Sequence, residues 1–263
     1  MPRNLKITLA YDGSEFHGWQ IQPGVPTVQG TLAECLKRLT GEDVLPQGSG
    51  RTDAGVHALG QVASVRLDNP IPDRNLIAAL NDILPPSIRV NSVETVSDEF
   101  HARHSATAKT YRYRIYRGDI CPPFQARYVL HDPYPMNEEA VIRSSEHLVG
   151  KHDFTSFAAS DPDRSARIAE LAADETPARF GKSGNLRTIH SSAWVRTHDE
   201  LVYTVRGDGF LHHMVRNLVG TFLLVGKGSL KVGDVPTILE ARNRSAAGPT
   251  AAACGLYLVS VEY

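Results

Sequence analysis

The residues best suited to chemistry lie between positions 48 and 63, where one carboxylate, Asp53, stands between Arg51 and His57. A nearby arginine keeps a carboxylate ionised through its charge and its hydrogen bonds. Glycines allow positive φ angles and close approach of a bulky ligand, and this stretch has four of them: Gly48, Gly50, Gly55 and Gly60. An ionised carboxylate beside a cation suits attack on, or stabilisation of, an electron-poor carbon such as C1′ of a nucleoside. We therefore predict a site around Asp53, over the alternative of a side chain that only caps its own turn.

The sequence argues against several other chemistries. A glycosidase needs a second carboxylic acid as proton donor, and residues 48–63 contain no acid besides Asp53. No HEXXH motif is present, and the adjacent His212 and His213 would point about 100° apart on a helix and so could not bind one ion. No phosphate-binding loop and no CxxC pair occur either. We therefore predict neither a metal nor a cofactor.

A run of basic and aromatic residues suggests contact with RNA. Residues 103–118 carry five Lys or Arg side chains and no acid, interleaved with three tyrosines. Cations for phosphates beside aromatic faces for bases are what recognition of single-stranded or loop RNA requires, and a solvated edge strand is the alternative. The two-residue period of a strand places Tyr111 and Tyr113 on one face and Arg112 and Arg114 on the other, where they could meet phosphate.

Arg216 is the second arginine with a predicted role in the site. It follows the apolar residue Val215 and precedes Leu218 and Val219 in a predicted helix over residues 211–225. Burying an unpaired guanidinium is expensive, so this arginine needs an anionic partner. Asp53 is the candidate partner, across a cleft.

The order of predicted elements repeats a β-α-β-β-α-β pattern. The first copy comprises strand 5–11, helix 28–39, a short strand near Val44, strand 61–67, helix 73–84 and strand 88–96. The second comprises strand 109–117, helix 137–149, strands 188–197 and 200–207, helix 211–225, a short extra helix 235–242 and strand 256–262. We predict an α+β fold of two ferredoxin-like halves, residues 1–104 and 105–263, with antiparallel sheets and a central cleft. The long connection 158–185, with a helical stretch at 168–173, has no predicted role.

Composition limits the setting in which the chain works. It is 41% hydrophobic and 22% charged, which is typical of soluble globular proteins. It shows no leader-like start and no apolar run long enough to cross a bilayer, so we expect a cytoplasmic protein without membrane contact. The formal net charge of −1 gives no overall attraction to a polyanion, so any RNA must be met by local patches.

Seven motifs together resemble the tRNA pseudouridine synthase A family. They are Tyr11-Asp12-Gly13, Phe16-His17-Gly18-Trp19-Gln20, Gly50 to His57, Lys109 to Tyr113, Phe154 to Phe157, His213 to Asn217, and Gly255 to Leu258. The resemblance runs almost end to end. It implies two ferredoxin-like halves, a homodimer that binds tRNA across both subunits, and isomerisation of uridine to pseudouridine at positions 38 to 40 of the anticodon arm.

The resemblance also implies residue roles. Asp53 would be the catalytic aspartate, acting either as nucleophile at C1′ or as base at the 2′ position. Arg51 would help to displace the target base, Tyr111 would stack on the flipped uracil, Arg216 would form a salt bridge to Asp53, and Leu256 would pack under the base.

Three further residues complete the predicted substrate-binding set, namely His57, Arg112 and Arg114. Two rival functions predict different sequence features. A non-catalytic RNA-binding protein of the same fold would have lost the aspartate or the arginine, and both are present. A nucleoside hydrolase would need a water-activating base or metal cluster, for which the sequence offers no candidate.

Overall fold

The computed structural model describes residues 2–159 and 184–263. The chain divides into two compact units. The first unit comprises Met1–Tyr134, Trp194–Arg206 and Ala252–Tyr263, and the second comprises Pro135–Ala193 and Gly207–Ala251. The predicted helical stretch 168–173 and most of the connection 158–185 lie outside the described residues.

The described residues form a mixed α/β structure with ten strands and five α-helices. The strands are β1 Arg3–Tyr11, β2 Gln47–Gly48, β3 His57–Leu67, β4 Ile88–Val96, β5 Ala108–Tyr116, β6 Leu130–His131, β7 Gly150–Asp153, β8 Leu186–Thr197, β9 Glu200–Gly207 and β10 Leu256–Glu262. The helices are α1 Val28–Thr40, α2 Asp73–Ile83, α3 Glu138–Glu146, α4 Met214–Gly226 and α5 Asp234–Ala241. Each described helix falls short of the length and apolarity that crossing a membrane would require.

The first unit is built on a mostly antiparallel sheet. Its strand order is β4-β1-β3-β10-β5-β9-β8, where β9 and β8 contribute the hairpin around residues 194–206, and β2 pairs with β3 while β6 pairs with β5. Strand β1 runs antiparallel to both β3 and β4, and β10 runs antiparallel to β5 but parallel to β3. Strand β10 therefore joins β3 to β5 through hydrogen bonds on both of its edges.

Alternating side chains determine which face of each strand is buried. In β1, Leu5, Ile7 and Leu9 are buried. In β5, Tyr111 and Tyr113 are buried while the arginines between and after them are partly exposed, which confirms the predicted two-residue alternation. The period of the sequence thus decides which side chains of β5 enter the core.

Helices α1 and α2 pack against each other in the first unit. Helix α1 begins at the predicted residue because the hydroxyl of Thr27 accepts a hydrogen bond from Gly30 N, and it ends at Gly41, whose φ of 78° suits glycine. The short strand predicted near Val44 was wrong. Residues 42–46 form no regular element, and the short strand in this part of the chain is β2, which pairs with β3.

The second unit contains α3, α4 and α5, with β7 paired antiparallel to the start of β8. The side chain of Asn137 accepts a hydrogen bond from Ala140 N, which confirms the predicted helix start there. Helix α4 begins at Met214 rather than at Leu211, because His213 adopts a left-handed conformation with φ 58°. Helices α3 and α4 pack together where Gly226 leaves room for Val141 and Met136.

Candidate active site

Asp53 lies in the loop between β2 and β3, which we call the aspartate loop (residues 49–56). Asp53 and Arg51 are both partly exposed. The loop turns tightly after the aspartate, because Val56 N donates a hydrogen bond of 3.1 Å to the carbonyl of Asp53 and Gly55 adopts a φ of +77°. The carboxylate of Asp53 is therefore carried by a hydrogen-bonded turn.

A second loop braces the aspartate loop from outside, and we call it the bracing loop (residues 13–20). Trp19 N donates to Thr52 O (3.0 Å), and Gly55 N donates to Phe16 O (3.2 Å). Gly18 has φ +88° and approaches so closely that a Cβ there would lie 2.5 Å from Thr52 O. The bracing loop thus contacts the backbone on both sides of the aspartate.

The bracing loop also orients the arginine of the motif. Arg51 Nε donates a hydrogen bond of 3.2 Å to Gln20 Oε1.

Buried polar groups support the loop from inside. Tyr11 is buried, and its hydroxyl lies 2.8 Å from that of Thr52. Burial raises the pKa of Tyr11 to about 12, although its hydrogen bonds with Thr52 and Gln61 act in the opposite direction. The phenol therefore stays neutral near pH 7, and its hydroxyl shares a hydrogen bond with that of Thr52.

Tyr111 lies close to the aspartate. Its ring is 8% exposed, and its pKa is raised well above the ordinary value, first by burial and then by the negative charges of Tyr11 and Asp53. In the ladder between β5 and β10, Tyr111 pairs with Leu258 and Tyr113 pairs with Leu256. Paired residues point to the same side of a sheet, so Leu256 shares the face of Tyr111. The structure thus places the predicted stacking tyrosine and base-supporting leucine on one face of the sheet, and the charge of Asp53 acts on that tyrosine.

His57 points to the opposite face of the sheet. It pairs with Tyr257, which in turn pairs with Arg112 across β10 and β5, so these three side chains share a face. The imidazole is 2% exposed and stacks on the Tyr257 ring at 4.8 Å between centroids. Its Nδ1 accepts a hydrogen bond from Gly13 N (3.1 Å). Burial lowers the pKa of His57 despite the nearby Asp12, so the ring is neutral and supports the loops, while direct contact of His57 with RNA stays a prediction.

Asp12 links the bracing loop to this same cluster. Its carboxylate accepts hydrogen bonds from Ser14 N (2.9 Å), Ser14 Oγ (2.6 Å) and Tyr128 Oη (2.9 Å). Burial raises the pKa of Asp12, but the hydrogen bonds from Ser14 and Tyr128 outweigh it and hold the pKa below its ordinary value. Asp12 is therefore a charged structural residue of the bracing loop.

The predicted phosphate contacts lie on the face of His57 as well. Arg114 donates to both carboxylate oxygens of Glu200, at 2.7 and 2.5 Å, and its guanidinium lies over the Tyr257 ring. A groove of about 720 Å³ opens on this face of β5, β8 and β9, and its lining includes Arg112, Arg114, Tyr116, Val195, Asp199 and Glu200. The carboxylate of Glu200 already neutralises the charge of Arg114. Contact of Arg112 and Arg114 with phosphate stays a prediction, directed to a different face from that of Tyr111.

Arg216 lies on α4 in the second unit and is anchored to the segment before β10. Its Nε donates to Ala251 O (2.7 Å), and Ala251 N donates to the carbonyl of Arg216 (3.1 Å). The next residue, Asn217, is fully buried and donates to Phe157 O (2.7 Å), which joins two of the sequence motifs. The ion pair between Arg216 and Asp53 stays a prediction.

His212 and His213 precede α4 instead of lying within it, and their ring centroids are 3.9 Å apart. The sequence argument that these two side chains diverge by about 100° assumed helical geometry, so it was wrong for this pair. The prediction that the site holds no metal therefore loses the support of this geometric argument and depends on the chemistry of the reaction alone.

Several residues that hold the site had no role assigned from the sequence, namely Tyr11, Gln20, Thr52 and Gln61. The hydrogen bonds Tyr11–Thr52, Arg51–Gln20 and Gln61–Tyr11 join positions 31 to 50 residues apart, which a local pattern does not reveal. The one available signal was that Tyr11, Gln20 and Thr52 fall within motifs of the family resemblance.

The comparison with known families fits this arrangement. A family model described as tRNA pseudouridine synthase matches residues 7–105 and 145–263. The chain therefore belongs to the tRNA pseudouridine synthase family, whose members are isomerases that act on tRNA.

Full-length relatives narrow the class further. The chain is 50% identical to tRNA pseudouridine synthase A of Solibacter usitatus (strain Ellin6076), over 99% of this chain and 100% of that protein. It is 43% identical to tRNA pseudouridine synthase A of Moorella thermoacetica, over 98% of this chain and 99% of that protein. The protein of the same name from Bacillus licheniformis is 42% identical, over 98% of each chain.

Proposed function

We propose that this chain converts uridine to pseudouridine at positions 38 to 40 of the tRNA anticodon arm, with Asp53 as its catalytic carboxylate. The observation that carries the proposal is the placement of Asp53 on a doubly supported turn beside Tyr111, whose pKa the aspartate charge helps to raise. The family membership supports the reaction type, and the relatives named tRNA pseudouridine synthase A support the choice of substrate.

The reaction requires an aspartate at the ribose and a surface for the free base. The C1′–N1 bond breaks, the uracil turns, and a C5–C1′ bond forms, after which C5 loses its proton and N1 gains one. Asp53 acts at C1′ or at the 2′ position, Tyr111 stacks on the flipped uracil, and Leu256 lies under it. Arg51 displaces the base, and Arg216 pairs with Asp53. Because uridine and pseudouridine are isomers, the rearrangement needs no oxidant or group donor, and we propose that it proceeds without cofactor or metal.

The fold that we propose for this function is a pair of ferredoxin-like halves, residues 1–104 and 105–263. Strands β4-β1-β3 with β2 on the outer side of β3 follow the order expected for one such half, and all their pairings are antiparallel. The order β10-β5-β9-β8 repeats it for the second half. We further propose a cytoplasmic homodimer that binds the anticodon arm across both subunits.

The test is isomerisation by the purified chain. A tRNA transcript carrying tritium at C5 of uridine releases tritium when C5 bonds to C1′. We expect release from the wild-type protein and a loss of roughly 10⁴-fold or more in Asp53→Asn, because removal of a group that reacts directly abolishes most catalysis. Asp43→Asn is the matched control, since the side chain of Asp43 is 84% exposed and forms a surface ion pair with Lys37.

Transcripts with a single uridine at position 38, 39, 40 or elsewhere test the proposed position. Release from uridines outside the anticodon arm at equal rates would refute the positional proposal. An active Asp53→Asn variant would refute the catalytic role. RNA binding without any tritium release by the wild-type protein would instead identify a non-catalytic RNA-binding protein.

A further inference from the structure

Gln61 lies directly beneath the aspartate loop, and the catalytic and substrate-binding roles proposed above do not include its side chain. It belongs to β3 and is fully buried. A carboxamide can donate two hydrogen bonds and accept two, and in the described structure all four are directed at protein atoms. Nε2 donates to Gly50 O (2.9 Å) and lies 3.5 Å from Tyr11 Oη, while Oε1 accepts from Ser49 Oγ (2.8 Å) and Val62 N (3.2 Å).

These partners surround the part of the loop that carries the site. Ser49 and Gly50 immediately precede Arg51 in the chain. Tyr11 is hydrogen-bonded to Thr52, the residue before the aspartate. The amide nitrogen of Gln61 lies 3.5 Å from the phenol oxygen of Tyr11, so this hydroxyl contacts both Gln61 and Thr52. One buried side chain therefore fixes the backbone before the arginine and, through one intermediate, the backbone before the aspartate.

We propose that Gln61 is a positioning residue for the isomerisation. Its carboxamide holds the aspartate loop in its reactive geometry without touching the RNA. This inference rests on the proposed function. Catalysis depends steeply on geometry, since a displacement of about 1 Å can cost about 100-fold in rate. A residue that served only the fold would affect stability throughout the first unit, whereas a positioning residue affects the loop and the chemical step.

The test uses two variants and a matched control. Gln61→Leu has a similar volume and removes all four hydrogen bonds, while Ser49→Ala removes one of them with little change in packing. We expect kcat of Gln61→Leu to fall about 10- to 100-fold and kcat of Ser49→Ala to fall less. The KM for tRNA should change by no more than about 2-fold, because phosphate contacts dominate affinity. Gln47→Leu alters an exposed glutamine in β2 and should leave both constants unchanged.

Hydrogen exchange provides a readout that a merely structural role would not produce. The amides of Ser49, Gly55 and Val56 are hydrogen-bonded in or beside the aspartate loop. In Gln61→Leu we expect these amides to exchange faster while those of α1 and α2 keep their wild-type rates. Unchanged kcat and loop exchange would overturn the inference, and so would exchange that rises equally in the loop and in both helices. Failure of the proposed function differs from either outcome, since the wild-type protein would then release no tritium from tRNA.

Discussion

Gly18 offers a direct way to displace the aspartate by a known distance. A Cβ added at this residue would lie 2.5 Å from Thr52 O and 3.1 Å from the carbonyl carbon of Asp53. Ordinary van der Waals contact begins near 3.4 Å, so the Gly18→Ala variant must separate the bracing loop from the aspartate loop by about 0.9 Å. Both contacts are backbone atoms, which cannot rotate aside as the end of a flexible side chain can.

The size of the effect follows from this displacement. A shift of about 1 Å in a reacting group can cost about 100-fold in rate, so we expect kcat to fall roughly 10- to 100-fold. That loss corresponds to about 1.4 to 2.7 kcal/mol in the activation free energy. Alanine at the φ of +88° at Gly18 also costs about 1–2 kcal/mol of folding free energy, which should lower the unfolding midpoint by roughly 2–8 °C.

Gly24→Ala separates the two effects. Gly24 lies in the same connection between β1 and α1 and has φ +77°, but a Cβ there would have nothing within 4 Å. Both variants therefore carry the cost of alanine at a positive φ, to which Gly18→Ala adds the cost of its close contact with Thr52 O, and only Gly18→Ala should lose turnover in the tritium-release assay. Equal losses of kcat in the two variants would show that backbone strain in the connection lowers kcat, and that contact with the aspartate loop does not. Full activity of Gly18→Ala would refute the bracing argument altogether.

Two further predictions concern the ring and the charge nearest the loops. Tyr111→Ala should lower turnover more than tRNA affinity, because phosphate contacts dominate affinity. Tyr111→Phe should keep most of both, because it retains the stacking ring. Equal losses of kcat, measured by turnover, and of affinity, measured by filter binding, would contradict stacking. In the folded protein the pKa of Asp12 is held below its ordinary value. The ionised carboxylate therefore stabilises the fold at any pH above the ordinary pKa, and this stabilisation disappears as the pH falls through the lower pKa of the folded state. Asp12→Asn should therefore lose less stability than the wild type when urea midpoints are followed below about pH 5, and identical pH slopes would count against this role.

The sequence predicted well what depends on neighbouring residues. The alternation in β5 identified Tyr111 and Tyr113 as buried because side-chain direction in a strand repeats every two residues. The start of α3 at Asn137 was predictable because the cap bonds an amide only three residues away. Helix α4 was misplaced by three residues because the left-handed conformation of His213 has no signal in hydrophobic periodicity.

The sequence did not predict which residues of different strands share a face of the sheet. That depends on the registers of β10 with β3 and β5, which align Tyr257 with both His57 and Arg112. A slip of one residue would move each side chain to the other face, and no local pattern measures such a register. Periodicity placed Arg112 and Arg114 opposite Tyr111 within β5, but only the strand pairing shows that His57 shares the face of these arginines and not that of Tyr111.

The central position of β10 has a consequence for biosynthesis. This strand pairs with β3 although Tyr257 follows its partner His57 by about 200 residues. Until the ribosome has made β10, both β3 and β5 have an open edge, and open edges are templates for pairing with other chains. Contacts so distant in sequence form late, so the nascent chain depends on protection during most of its synthesis. Leu256 enters the sheet only with this strand. We therefore expect the enzyme to gain its activity at the end of translation, and not gradually while the chain is still being synthesised.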